Sequence, residues 1–163
     1  MPAAARLTDP VSHPLPPVLT GGPGSPNVMI GFLPAWRGVL AAVAQALQSA
    51  KKASDQVIQT AEAATLAAAG TPGAPAAKAA EEATKAACAA TMGAAISGAA
   101  AGADIHACTT PLPIPPHGPG VVIDGSTTVS INFLTACRQG DTLLEAVGPP
   151  NKIAMGIPTV LIG

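Results

Sequence analysis

The sequence predicts an α+β protein in which an antiparallel α-helical hairpin is inserted into a small β-rich body. A short β-favouring unit occurs about three times along the 163 residues, and a long alanine-rich stretch with helical periodicity separates two of the copies. Large core-forming side chains are scarce, with no Tyr, two Phe and one Trp. Such a body needs a metal, close backbone packing or a partner chain in place of a thick apolar core.

The repeated unit consists of a strand, a turn, an Ala-Arg pair and an aspartate. Its copies lie at 24–38 and 125–141, and a third copy at 156–163 is continued by residues 2–9. The β-favouring runs within them are 27–30 and 159–162. Repeats of this kind build pseudo-symmetric β structures in which each copy packs on its neighbours. The arginines and aspartates at matching positions predict the ion pairs Arg6–Asp9, Arg37–Asp104 and Arg138–Asp141. We expect Trp36 to pack in the core.

The register of the repeat predicts where a metal site forms. The residue four positions after each of these aspartates is His13, Cys108 or Glu145, and all three side chains can ligate zinc. If the three copies surround a pseudo-threefold axis, these side chains converge near it.

The segment from Asp104 to Gly120 adds further donors. It is rich in proline, which indicates irregular structure, and it contains His106, Cys108 and His117. A closed zinc site takes four nitrogen or sulfur donors in a tetrahedron. His13, in the similar setting DPVSHPLPP, is the remaining histidine.

The first helix of the hairpin is predicted from heptad spacing between 39 and 70. One row of the predicted seam is Leu40, Leu47, Ser54, Ala61 and Ala68, and the other is Val43, Ala50, Val57 and Ala64. Glycine and proline at 70–75 predict the turn, with Pro75 as a first helical residue. The second helix is predicted from Pro75 to Ile96, with Lys78, Glu81, Glu82 and Lys85 on its solvated face.

The second helix contains a cysteine and an uncharged run of small residues. Cys88 lies among alanines and is expected to be a small buried side chain. The uncharged run 86–103 contains GxxxG spacing and approaches the length of a membrane span. It has few large apolar side chains, so a soluble hairpin is favoured over an inserted one.

Composition excludes several classes of protein. The net charge of −1 and the lack of a basic patch argue against binding nucleic acid. The N-terminal residues contain no apolar run of signal-peptide length, which predicts synthesis in the cytosol. Three cysteines in a reducing compartment favour metal binding or thiols over a disulfide framework.

Three features of the sequence together resemble the PAAR-repeat family. They are the opening MPAAARLTD, the repeated GSPNVMIGFLPAWRG and GIPTVLIG, and the D-x-H-x-C…PPHG segment. The resemblance covers 1–38 and 101–163 and implies a small, pseudo-threefold, cone-shaped β domain, with 39–100 as the inserted hairpin. Members cap the trimeric spike of type VI secretion systems and related contractile injection machines.

The family holds a structural zinc ion with three histidines and a cysteine. Carried over to this chain, the resemblance implies His13, His106 and His117 as ligands. Many members have a cysteine near the position of Glu145, so the fourth ligand is open here. Cys108 is favoured, Glu145 is the reserve and Cys137 is the third candidate.

The resemblance implies a zinc-stabilised spike tip that sharpens the spike for membrane puncture and is not an enzyme. Its expected partner is a trimeric VgrG-like or phage-type β-helical spike protein, with transient contact to a target membrane. The protein would assemble in the cytoplasm and be exported with the spike on firing. The alternative is an adaptor that loads an effector or cargo protein, with the hairpin as docking surface.

Overall fold

The computed structural model describes residues 1–13, 17–111 and 116–163, and it confirms the α+β class. Two long helices interrupt a series of short antiparallel strands. The elements in chain order are β1 Ala3–Ala4, β2 Met29–Ile30, β3 Leu33–Pro34, β4 Arg37–Gly38, α1 Ala41–Ala67, α2 Ala74–Ala99, β5 His106–Pro111, β6 Pro116–Val122, β7 Ser130–Ile131, β8 Leu134–Ala136, β9 Thr142–Glu145, β10 Asn151–Lys152 and β11 Ile157–Leu161.

The strands form four antiparallel sheets in the described residues. Strand β1 pairs with β11, so the two ends of the chain form one sheet. Strands β2 and β3 form a hairpin, and β4, β8 and β7 form a three-stranded sheet. The largest sheet has the order β10-β9-β6-β5.

A closed ring of three backbone hydrogen bonds joins the three Ala-x-Arg segments. Ala5 N–H donates to Cys137 O at 2.9 Å, Cys137 N–H donates to Trp36 O at 3.1 Å, and Trp36 N–H donates to Ala5 O at 3.0 Å. All three residues are buried, and Trp36 lies in the core as expected. Each copy therefore donates to one neighbour and accepts from the other, which is the relationship expected of three copies around one axis.

Matching side chains from the three copies also pack against one another. One buried cluster consists of an alanine and an isoleucine from each copy: Ala4, Ala35, Ala136, Ile30, Ile131 and Ile162. The predicted strand at 27–30 is shorter, at 29–30, and the one at 159–162 is shifted to 157–161.

The predicted helical hairpin is present. The Thr65 hydroxyl donates to Ala77 O, and the Cys88 thiol lies 3.9 Å from Ser54 O, so the two helices run antiparallel. Helix α1 has 27 residues and is therefore about 40 Å long. Helix α2 begins at Ala74, one residue before the predicted first helical residue Pro75, and it ends at Ala99 rather than at Ile96. Cys88, which was expected to be buried, is half-buried.

The inner face of the hairpin differs from the prediction in two respects. The first predicted row is confirmed at Leu47, but the second row is wrong by one residue, because the buried positions are Ala44, Lys51 and Ile58. Lys51 can be buried because its ammonium lies 2.5 Å from the Asp55 carboxylate one turn later. The missed row includes this lysine, and lysine is rarely buried unless it is paired.

The second difference concerns the polar side of α2. Glu81 was predicted on the solvated face, but it is buried. It accepts hydrogen bonds from Lys78 at 2.9 Å and Lys85 at 2.7 Å, and Lys85 also reaches Glu62 of α1 at 2.7 Å. Hydrogen bonds from Lys85, then Lys78, lower the pKa of Glu81 to about 2. This network joins the two helices where large apolar side chains are lacking.

The base of the hairpin packs on the largest sheet. Met92 and Ile96 of α2 belong to one buried cluster with Val121 of β6 and Leu144 of β9. Gly93 allows close approach, since a Cβ there would lie 3.3 Å from Pro119. Within the described parts of the chain, neither helix has the length and apolarity needed to cross a membrane.

The prediction of irregular structure for 104–120 is wrong for most of that segment. Strands β5 and β6 form an antiparallel hairpin there, with His106 opposite Gly120 and Cys108 opposite Gly118. Residues 112–115 of this segment, and 14–16 of the DPVSHPLPP stretch, lie outside the described residues.

Candidate metal centre

The three residues that the repeat register singles out converge at one buried point. His13, Cys108 and Glu145 come together with His106, and one ligand atom from each of the four lies within 4.8 Å of the others. All four side chains are buried. The four-residue spacing after each aspartate therefore located a common site, and the cluster could hold a metal ion.

The Arg-Asp pairs fix the start of each ligand-bearing segment. In every copy the arginine backbone N–H donates to the aspartate carboxylate. The distance is 2.9 Å from Arg6 to Asp9, 2.8 Å from Arg37 to Asp104 and 2.8 Å from Arg138 to Asp141. The aspartate N–H donates back to the arginine carbonyl in all three. The predicted ion pairs Arg6–Asp9, Arg37–Asp104 and Arg138–Asp141 are confirmed.

Strand geometry brings the other donors to the same face. His106 and Cys108 are two residues apart on β5, so their side chains point the same way. Gly120 of β6 lies between His106 of β5 and Glu145 of β9 in the sheet. A Cβ at Gly120 would lie 2.9 Å from Glu145 Cγ. The missing side chain at Gly120 therefore leaves room for donors from the two strands that flank β6.

His13 lies between the other donors. Its Nε2 is 2.8 Å from His106 Nε2, and its Nδ1 is 3.9 Å from Cys108 Sγ. Its Nε2 is also 3.3 Å from Glu145 Oε1. The other ring nitrogen of His106, Nδ1, accepts a hydrogen bond from Thr20 N–H at 3.3 Å. A single ion could therefore be shared by atoms that already lie nearly in contact.

Burial keeps the imidazoles in the form that binds metals. Burial, and secondarily the neighbouring His13, lowers the pKa of His106 to about 4. Burial is also the main cause that lowers the pKa of His13, opposed by the Glu145 carboxylate. Both rings are therefore neutral near pH 7, and neutral imidazole is a zinc ligand.

Glu145 uses one carboxylate oxygen for neighbouring side chains and directs the other at the cluster. Its Oε2 contacts His117 Nδ1 at 2.5 Å and accepts from Asn151 Nδ2 at 2.7 Å. Its Oε1 is buried and accepts no hydrogen bond from the described residues. An unsatisfied carboxylate oxygen beside two imidazoles and a thiol fits a bound cation.

The predicted ligands His13, His106 and Cys108 are thus brought together, and the reserve candidate Glu145 joins them. His117 lies next to this group, in contact with Glu145, and its ring centre is 6.3 Å from that of His13. Cys137 is buried in the backbone ring and is not among the residues of the cluster as described.

The sequence did not indicate Thr20 or Asn151. Thr20 contributes a backbone N–H, which leaves no trace in the sequence. Asn151 follows Gly148-Pro149-Pro150, and an asparagine after such a turn is too common to signal a role at a site.

Comparison with models of known protein families, with curated proteins and with solved structures found no match. The residues and geometry of this chain are therefore the basis on which its function can be inferred.

Proposed function

We propose that this protein is the tip of a contractile injection or type VI secretion machine, where it caps a trimeric β-helical spike and holds a structural zinc ion. The observation that carries the proposal is a threefold set of exposed apolar side chains on the repeats. The sequence resemblance to the PAAR-repeat family, with its cone-shaped domain, points the same way.

Two copies of the repeat present a phenylalanine at the end of a tight hairpin. Gly31 and Phe32 have φ of 53° and 68°, and Asn132 and Phe133 have φ of 52° and 65°. Positive φ at both central residues is characteristic of a type I′ turn. Phe32 is 95% exposed and Phe133 is 94% exposed. A non-glycine residue at positive φ is uncommon, so both copies hold a large apolar side chain in solvent at an unfavourable backbone position.

The third copy continues the pattern. Aligning the Ala-Arg pairs places Met1 at the position of Phe32, and Met1 is 80% exposed. Met29 and Leu161, which match each other, are exposed as well, and the second copy has Ser130 at that position. Large exposed apolar side chains that recur at one position are typical of an interaction site. Since Met1, Phe32 and Phe133 provide one such residue per copy, their natural partner has threefold symmetry, as the end of a trimeric spike does.

Zinc is the metal that best suits the donors. Imidazole, thiolate and carboxylate are its usual ligands, and a closed set of four is typical of structural zinc. Metal binding that exists only in the folded state adds directly to folding free energy. A body with few large core residues gains most from this, and four protein donors leave no open position for catalysis.

The test is binding to a VgrG-like trimeric spike protein from the same organism, measured by co-purification and by calorimetry. Phe32→Asp and Phe133→Asp should abolish the complex because each would bury a carboxylate in an apolar contact. Leu66→Asp, which changes an exposed apolar residue on α1, should bind normally. Full binding by the Phe32→Asp/Phe133→Asp double variant would refute the proposed docking surface.

A groove on the hairpin favours the second candidate, an adaptor for an effector or cargo protein assembled on the spike. The groove has a volume of about 440 Å³ and a mainly apolar lining that includes Ala50, Val57 and Thr91. Ala50 and Val57 belong to the predicted seam row that the second helix leaves uncovered. Deleting Val39 to Ala100 distinguishes the two functions, because a tip would still assemble on the spike whereas an adaptor would lose its cargo.

A further inference from the structure

We propose that Glu145 Oε1 is the fourth metal donor and that His117 is not a ligand but a positioning residue, which together with Asn151 holds the Glu145 carboxylate in place. The inference rests on the metal site of the proposed function and departs from the three-histidine set that the sequence resemblance implies.

The two oxygens of Glu145 have different surroundings. The residue is fully buried, and Oε2 is engaged by the His117 ring and the Asn151 amide. Oε1 receives no hydrogen bond from the described residues and lies 3.3 Å from His13 Nε2. A buried carboxylate oxygen without a donor is costly. A cation bound between His13, His106 and Cys108 would remove that cost.

The His117 ring contacts Glu145 on one side and the turn at Gly148 on the other. Nδ1 lies 2.5 Å from Glu145 Oε2, and its N–H donates a hydrogen bond to the carboxylate. Nε2 lies 3.2 Å from the position of a Cβ on Gly148, so this side of the ring faces the backbone of a turn. Gly148 has a φ of 86°, which favours glycine. Because glycine has no side chain, it also leaves space for the ring. Ligation through Nδ1 would require breaking its contact with Glu145, and ligation through Nε2 would require the ring to turn away from Gly148.

Direct contact between the cation and the carboxylate favours the same assignment. Two neutral imidazoles, a thiolate and a carboxylate carry two negative charges, which balance a divalent cation within its own ligand set. With His117 as a ligand, the set would carry one negative charge and the buried Glu145 carboxylate would act from a longer distance, where the attraction between opposite charges is weaker. A ligating carboxylate that is itself hydrogen-bonded is a common arrangement.

The test measures zinc affinity by chelator competition and the visible spectrum of the cobalt(II)-substituted protein. Glu145→Gln should weaken zinc binding as much as His106→Gln does and should change the cobalt spectrum. His117→Ala should weaken binding by about 10- to 100-fold, as is typical of residues that orient a ligand, and should keep a tetrahedral cobalt spectrum. His117→Gln should recover part of the loss because its amide can still donate to Oε2.

A double variant separates the two roles. In the Glu145→Gln background, His117→Ala should cause little further loss, since the partner through which His117 acts is already changed. Circular dichroism of each variant checks that it is folded, and Cys88→Ser serves as a control that leaves zinc affinity unchanged.

Two results would overturn the inference. If His117→Ala abolishes zinc binding while Glu145→Gln retains it, His117 is a ligand and the zinc site of the proposed function still stands. If the unaltered protein binds no zinc and no cobalt, both the inference and the zinc part of the proposed function fail.

Discussion

Arg37 and Asp104 are 67 residues apart in the chain, yet they form the same contact that Arg6 and Asp9 form across three residues. The Arg37 N–H and guanidinium both donate to the Asp104 carboxylate, at 2.8 Å and 2.9 Å. The hairpin is therefore inserted between the two partners of one repeat, and the ion pair closes the gap.

Arg37→Ala should destabilise the protein by about 3–5 kcal/mol, because the Asp104 carboxylate is 1% exposed and would remain buried without its partner. Arg138→Ala, at the matching pair with a more exposed arginine and carboxylate, should cost less, about 1–3 kcal/mol. Urea denaturation of both variants measures the difference. Equal losses would mean that burial does not distinguish the two pairs.

Removing 39–102 together with Ala103→Gly should leave a folded β body that still binds one zinc ion. The shortened chain reads Arg-Gly-Gly-Asp at this point, which matches the spacing of the other two copies. In those copies the residue before the aspartate has positive φ, 70° at Thr8 and 90° at Gly140, and glycine meets that requirement. Circular dichroism should show loss of helix, and elemental analysis should show retained zinc. An unfolded product would mean that the hairpin is needed for folding.

Ala136→Leu should cost about 1–3 kcal/mol because it adds volume to a fully buried alanine. Ala136 packs in the cluster formed by matching residues of all three copies, so the strain cannot be relieved toward solvent. Ala154→Leu, at an exposed position, should change stability by less than about 0.5 kcal/mol. A neutral Ala136→Leu variant would argue against close packing between the copies.

The metal-free protein should lose stability as the pH falls from about 6.5 to about 4. His106 is protonated near pH 6.5 when unfolded and only near pH 4 when folded, so the unfolded state binds more protons in this window. The loss amounts to roughly 3 kcal/mol and levels off below pH 4. Denaturation at several pH values in the presence of a chelator measures it. His106→Gln should flatten the profile, and an unchanged slope in that variant would assign the effect to other groups.

Zinc removal should lower the melting temperature at neutral pH. Zinc at 1,000 times its dissociation constant adds about 4 kcal/mol to stability. Cys108→Ser should reduce the difference between zinc-loaded and chelator-treated protein, whereas Cys88→Ser should preserve it. Identical melting of the loaded and treated protein would show that no metal contributes to the fold.

The sequence by itself determined the features that depend on local pattern. The repeat unit, the hairpin and the three Arg-Asp pairs could be predicted because recurring residues keep the same spacing from copy to copy. The same spacing predicted that His13, Cys108 and Glu145 converge, since residues at one register position lie equally far along each copy. Heptad spacing predicted the first helix but placed one seam row a residue away from Lys51, because pairing with Asp55 is not visible in a hydrophobic pattern.

Only the tertiary structure decided how the donors are used. Cys108 and Glu145 were competing candidates for one ligand, but the sheet places both beside His13 and His106 because Gly120 leaves the space between their strands open. The contact of His117 with Glu145, and the backbone donor at Thr20, depend on which strands are neighbours. Sequence spacing fixes which residues each copy can offer, whereas the pairing of distant strands fixes which of their atoms face one another.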